Sequence, residues 1–182
     1  TMFKHKKPDL IISGINHGAN VGEDITYSGT CGGAMEGTLQ GVNSIAVSQL
    51  YNNDSLDKFG FDLACEITLE LVQNIFENGY PLDGREFLNL NIPAVSKHEY
   101  KGLKIVPAGQ QNYNTNAQIH RNPRGLEYYW LGTPGIRYAA DLGYPCDITT
   151  LNQNYASLTP IKLDMTSYKS IEILQNWTQN ER

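Results

Sequence analysis

Within one stretch of this chain, Asn16, Asn20, Ser28, Gly29 and Thr30 bring together residue types that can hold a cation or a phosphate. Asn16 and Asn20 offer neutral amide oxygens, which are acceptable ligands for hard cations such as magnesium. Tyr27-Ser28-Gly29-Thr30 presents hydroxyls and backbone amides at what reads as a helix N-terminus, an arrangement that favours phosphate. Gly14, Gly18 and Gly22 punctuate the same loop and let backbone come close to a ligand. The chemistry indicated is an anion or metal site. Each feature also has an ordinary alternative. Asn16 is equally a turn residue, Ser28 or Thr30 a plain helix cap, and His17 an exposed loop histidine. Glu23-Asp24 is either a general base or metal ligand, or a solvated surface pair. No G-x-x-x-x-G-K-[ST] loop and no G-x-G-x-x-G fingerprint occurs, which removes support for ATP-driven phosphotransfer and for dinucleotide binding.

The elements that must position these groups are legible around them. Leu10-Ile11-Ile12 is apolar at successive positions, a pattern that suits a strand buried on both faces of a helix-covered parallel sheet. Ligands in such sheets sit beyond the carboxyl ends of the strands, where this polar loop begins. Ser28 to Gly41 reads as a short helix capped by Ser28 or Thr30. Gly32, Gly33 and Gly37 lower its propensity by about 1 kcal/mol each, which close packing against the sheet would offset. Asn43 to Leu50 is a second strand, completing a βαβ unit. Ser55 to Asn78 is the clearest helix, with Leu63, Ala64, Ile67, Leu71, Ile75 and the adjacent Val72 and Phe76 on one broad apolar face and Gly79 just beyond. Phe87 to Ile92 alternates, with Pro93 closing it, and Leu103 to Val106 is another short strand.

After Pro107 the character changes. Gln110 to Gln118 is polar, Arg121-Asn122-Pro123-Arg124-Gly125 is strong turn chemistry, and Leu126 to Leu131 is aromatic and strand-like. Together they predict an extended hairpin projecting from the core, which a partner subunit would cover. Asp141 to Asn154 reads as a return loop. Ser157 to Asp164 reads as a final strand, at an edge or bulged because of Pro160, and Ser170 to Trp177 as a terminal helix. The expected organisation is an α/β core over 1–108 and an oligomerisation region of hairpin arm, return strand and helix over 109–182.

Composition narrows the function classes. A chain of 182 residues with 40% hydrophobic and 18% charged residues suits a folded domain. A formal charge of -5 argues against non-specific DNA binding. Cys31, Cys65 and Cys146 are odd in number and widely spaced, as expected for reduced thiols in a cytoplasmic protein. The four histidines form no zinc-ligand spacing. No apolar run approaches the roughly 20 residues of a membrane span, so no membrane partner is expected.

Read as a whole, the chain resembles the SurE family (survival protein E) of metal-dependent nucleotidases. The resemblance is carried by SGIN-x-G-x-N at Ser13 to Asn20, YSGT at Tyr27 to Thr30 and AMEG at Ala34 to Gly37. Arg121 to Gly132 looks like the family's hairpin segment, and Ser157 to Thr166 like its closing strand. The resemblance implies an α/β fold: a Rossmann-like three-layer core with a projecting β-hairpin and a C-terminal segment exchanged between subunits of a homodimer or homotetramer. It also implies hydrolysis of nucleoside 5'- and 3'-monophosphates with magnesium or manganese. The alternatives are a broader phosphatase or exopolyphosphatase, or a non-catalytic assembly module. By the same resemblance Asn16 matches a metal ligand, and Asn16 and Ser28 are the catalytic candidates. Asn16, Asn20, Ser28, Gly29 and Thr30 are the phosphate-binding candidates. The family's further ligands, paired aspartates in an N-terminal NDDG motif and a later serine, have no counterpart here. The expectation that follows is that these residues are the larger C-terminal part of a longer polypeptide.

Overall fold

The computed structural model describes residues 6–50, 60–112, 117–130, 137–138 and 142–179. Strand β1 (Ile11–His17) leads through a loop and a 3-10 helix (Gly22–Thr26) to α1 (Gly29–Leu39). Then come β2 (Ser44–Gln49), α2 (Asp62–Asn78), β3 (Glu86–Ile92) and β4 (Leu103–Ile105). The arm contains β5 (Gln111–Asn112), β6 (Gln118–Arg121), β7 (Glu127–Trp130) and β8 (Arg137–Tyr138). The chain returns through α3 (Asp147–Asn152) and β9 (Ala156–Lys162) to α4 (Tyr168–Gln179). Residues 55–59 of the expected long helix and Leu131 of the expected arm strand lie outside the described residues.

Five strands form the main sheet in the order β1-β2-β3-β9-β4. β1, β2 and β3 run parallel, β9 lies antiparallel against β3, and β4 runs parallel to β9. The sheet is therefore mixed, with its parallel half ending at β3. Among the described residues β1 pairs only with β2, and Ile12 is 46% exposed, so the expectation of burial on both faces is corrected for this strand. β9 is an interior strand, yet β4 pairs only with its first half, Ala156 to Leu158. Pro160 lies beyond that ladder, opposite Leu88 alone, which is where a strand tolerates the missing N–H.

Successive side chains on a strand point to opposite faces, and the two faces here have different chemistry. Ile45, Val47, Leu88, Leu90, Ile92 and Leu158 pack with Ala64, Ile67 and Ile75 of α2. On the other face, Ala46 and Phe87 pack with Cys31 and Ala34 of α1. Helix, sheet and helix form the expected three layers. The alternation expected for β3 is present, but its polar residues Asn89 and Asn91 are buried, not solvated.

Small residues bring α1 down onto the sheet. A Cβ at Gly33 would lie 2.6 Å from Ser13 Oγ, and one at Gly37 would lie 2.5 Å from Ser44 Oγ and 2.6 Å from Ile11 Cδ1. Gly32 faces open space, so close packing accounts for Gly33 and Gly37 only. Within β1, a Cβ at Gly14 would meet the Val47 carbonyl oxygen at 2.3 Å, so only glycine fits.

In the arm, β6 and β7 form the expected hairpin, with Asn122 Oδ1 accepting from the amides of Arg124 and Leu126 to shape its turn. β5 and β8 pair at its base. β9, from the region after 108, enters the main sheet between β3 and β4. The segment expected as a return loop contains α3, whose Ile148 and Leu151 are buried against Val21.

Candidate phosphate-binding site

Ser28 is the N-cap of α1, its Oγ accepting from the Cys31 amide at 3.0 Å. The cap uses one hydroxyl lone pair and leaves the O–H to donate. The amides of Gly29 and Thr30 belong to the first turn, whose N–H groups have no partner within the helix. The partial positive charge of the helix dipole lies at the same end. The glycine contacts fix where this turn sits. Gly37 lies beside Ile11 and Gly33 beside Ser13, so α1 runs antiparallel to β1. One further helical step of four residues rises about 6 Å, as do two strand residues. β1 is bulged between Ser13 and Asn16, where three of its residues span two of β2, so that step brings Gly29 towards Ile15 and Asn16 at the carboxyl end of β1.

Asn16 is half-buried and donates from Nδ2 to the Gly18 carbonyl at 2.8 Å, which orients its amide. Its neighbour His17 is exposed, as are Tyr27 and Glu23, while Asp24 is half-buried.

Asn20 behaves differently from the sequence expectation. It is 8% exposed, and its groups turn inward. Its amide N–H donates to Asn91 Oδ1 at 2.8 Å, and Nδ2 donates to Ser48 Oγ at 2.6 Å. Its carbonyl accepts from Asn89 Nδ2 at 2.9 Å and Asn91 Nδ2 at 3.1 Å. Asn20 is thus corrected from a phosphate contact to the staple that fastens the loop to β2 and β3. A buried loop backbone needs such partners, and two strand asparagines supply them.

A second fastening was not visible in the sequence. The buried Asp147 accepts from the amides of Gly22 at 2.9 Å, Gly109 at 2.8 Å and Ile148 at 2.8 Å. Burial pushes its carboxyl above the ordinary aspartate range, and these three amide donors pull it part of the way back. Burial likewise raises the Cys31 thiol, whose Sγ lies 3.6 Å from Asn89 Oδ1. The only local signal for Asp147 was an aspartate followed by Ile148 and Leu151, an amphipathic helix start inside an otherwise polar segment.

Asn16, the cation-ligand candidate of the sequence, carries one neutral amide oxygen. Among the described residues no group of three or more His, Cys, Asp or Glu side chains is placed to hold a metal ion. Magnesium ordinarily takes one or two carboxylates, so the described residues do not by themselves fit that ion. The capped first turn of α1 carries a hydroxyl and backbone amides, the donor types that favour an anion.

Residues 1–115 match the family model for survival protein SurE. The chain is 75% identical over 177 residues to the 5'-nucleotidase SurE of Campylobacter fetus subsp. fetus, covering 97% of this chain and 69% of that protein. It is 57% identical over 176 residues to the 5'-nucleotidase SurE of Campylobacter hominis, covering 97% of this chain and 68% of that protein. The crystal structure of the SurE protein from Aquifex aeolicus superposes with a TM-score of 0.73 at 34% identity, covering 97% of this chain and 68% of that one.

Proposed function

This chain belongs to the SurE family, and on that premise we propose that it is a phosphomonoesterase that releases phosphate from nucleoside 5'- and 3'-monophosphates. The observation that carries the reading is the capped N-terminus of α1, where Ser28 accepts from the Cys31 amide on the helix end that points towards the carboxyl end of β1. The Ser28 hydroxyl and the Gly29 and Thr30 amides would hold the phosphoryl oxygens, with the helix dipole favouring their charge. The same donors would strengthen their hold as charge builds on those oxygens during hydrolysis. The divalent cation of the family, magnesium or manganese, would supply charge neutralisation when bound, and Asn16 would give it one oxygen.

The reading extends to assembly and location. α4 has no buried residue and exposes Ile171, Ile173, Leu174 and Trp177, which supports association with a second copy as a homodimer or homotetramer. The free thiols Cys31, Cys65 and Cys146 support a cytoplasmic location. Among the described residues no helix is long and apolar enough to cross a membrane.

The test is phosphate release from a panel of nucleoside monophosphates, p-nitrophenyl phosphate and short polyphosphate, with magnesium or manganese present. We expect turnover of the nucleotides, lowered at least about tenfold in Ser28→Ala and accompanied by weaker metal affinity in Asn16→Ala. No release from any nucleotide by the wild type would refute the proposal, and preference for polyphosphate would redirect it.

A further inference from the structure

Asp147 lies 125 residues from Gly22, yet one carboxylate binds three segments. Oδ2 accepts from Gly22, in the loop after β1. Oδ1 accepts from Gly109, where the chain leaves β4 for the arm, and from Ile148, where it returns into α3. The Asp147 amide donates to the Pro107 carbonyl at 3.0 Å, closing the neck of the arm on itself. A residue that merely started α3 would need only the Ile148 amide. Here the second oxygen leaves that helix and grips the loop.

The grip reaches the phosphate-binding turn through a stiff path. Gly22 opens the 3-10 helix, in which Asp24 N donates to Val21 O at 3.1 Å and Tyr27 N to Asp24 O at 3.0 Å. Ile25, in the middle of that helix, is buried beside Cys31 and Ala34. Ser28 follows directly. Val21, Cys146, Ile148 and Leu151 form an apolar cluster beside the carboxylate. A carboxylate screened from water holds its amides more tightly than an exposed one.

We infer that Asp147 is a positioning residue: it couples both roots of the projecting arm to the loop that sets Ser28, Gly29 and Thr30 against the phosphoryl group. This rests on the phosphomonoesterase reading above. Misplacing such a turn by about 1 Å is enough to lower turnover on the order of a hundredfold. Asp147→Asn separates the two halves of the role. Its remaining oxygen can serve Ile148 and Gly109, while its NH2 then opposes the Gly22 N–H.

The experiment uses the intact protein carrying Asp147→Asn, with kcat and KM for adenosine monophosphate measured per folded molecule and amide exchange followed at Gly22 and Gly109. We expect kcat to fall about 10- to 100-fold, KM to change less, and exchange at Gly22 to quicken while Gly109 stays protected. Wild-type kcat in the folded variant overturns the inference and leaves Asp147 a purely structural residue. If Asp147→Asn does not fold, Gly109→Ala presses on the same carboxylate, since its Cβ would lie 3.1 Å from Oδ1 and 2.8 Å from Ile148 Cδ1. A several-fold loss of kcat in folded Gly109→Ala supports the coupling, and unchanged kcat overturns it. Should the wild type hydrolyse no phosphomonoester, the activity reading fails by itself. Gly22 exchange then decides the coupling, and an unchanged rate in Asp147→Asn overturns it.

Discussion

Leu90 and Asn91 are neighbours on β3, both fully buried, and they serve opposite halves of the molecule. Leu90 faces the side packed by α2, where contacts are aliphatic and non-directional. Asn91 faces the side covered by α1 and the opening loop, where Ser48, Asn89 and Asn20 join it in a hydrogen-bonded network. The register continues both patterns across the sheet: Val47, Leu90 and Leu158 form one row, and Ser48, Asn91 and Ser157 the next. One face is built for stability alone. The other accepts the expense of buried polar groups and in return holds an irregular loop in one conformation.

The largest expected effect tests that division directly. Leu90→Ala should lower unfolding free energy by about 2–5 kcal/mol while leaving kcat per folded molecule unchanged. Asn91→Ala should cost less, about 1–3 kcal/mol, because it strands the Asn20 amide, yet it should also reduce kcat by releasing the loop. Denaturant titration beside steady-state kinetics separates the two, and equal kinetic losses would break the comparison.

A subtler probe lies on the apolar side. Tyr80 packs against that core and donates its hydroxyl to the Ser44 carbonyl at 2.8 Å. Burial is the main cause pushing its pKa up, to about 12. Because the folded value lies above the ordinary tyrosine value of 10.0, this contribution to stability is complete below pH 10 and is lost as pH rises through 12. Tyr80→Phe should therefore flatten the fall in denaturation midpoint between pH 10 and 11.5; a slope identical to wild type would contradict the assignment.

The smallest expected effect belongs to the polar face. Thr159 Oγ1 is buried and has no hydrogen-bond partner among the described residues. Thr159→Val keeps the shape and removes that atom, so stability should stay level or rise by up to about 1 kcal/mol. A loss exceeding that in thermal unfolding would mean the hydroxyl serves the network after all.

Much of the site's frame could be read from residue order. Ser28 announced a cap, Gly33 and Gly37 announced close packing, and the apolar spacing of α2 announced one buried face. Asn20 misled, because an asparagine in a glycine-rich loop has the same local signature whether it meets a ligand or a strand. Asn89 and Asn91 show a related limit: alternation along β3 reports two faces but not whether the polar one meets water.

Local chemistry, then, determined by itself most of the core helices and strands and where α1 begins, though not α3, since caps, turns and periodicity act over a few residues. Tertiary structure alone decided that β9 enters between β3 and β4, that Asn20 is a staple, and that Asp147 ties the arm's neck to the loop. The last two outcomes depend on hydrogen bonds between residues 71 and 125 positions apart, and a buried donor chooses its acceptor by position in space, which no local pattern encodes.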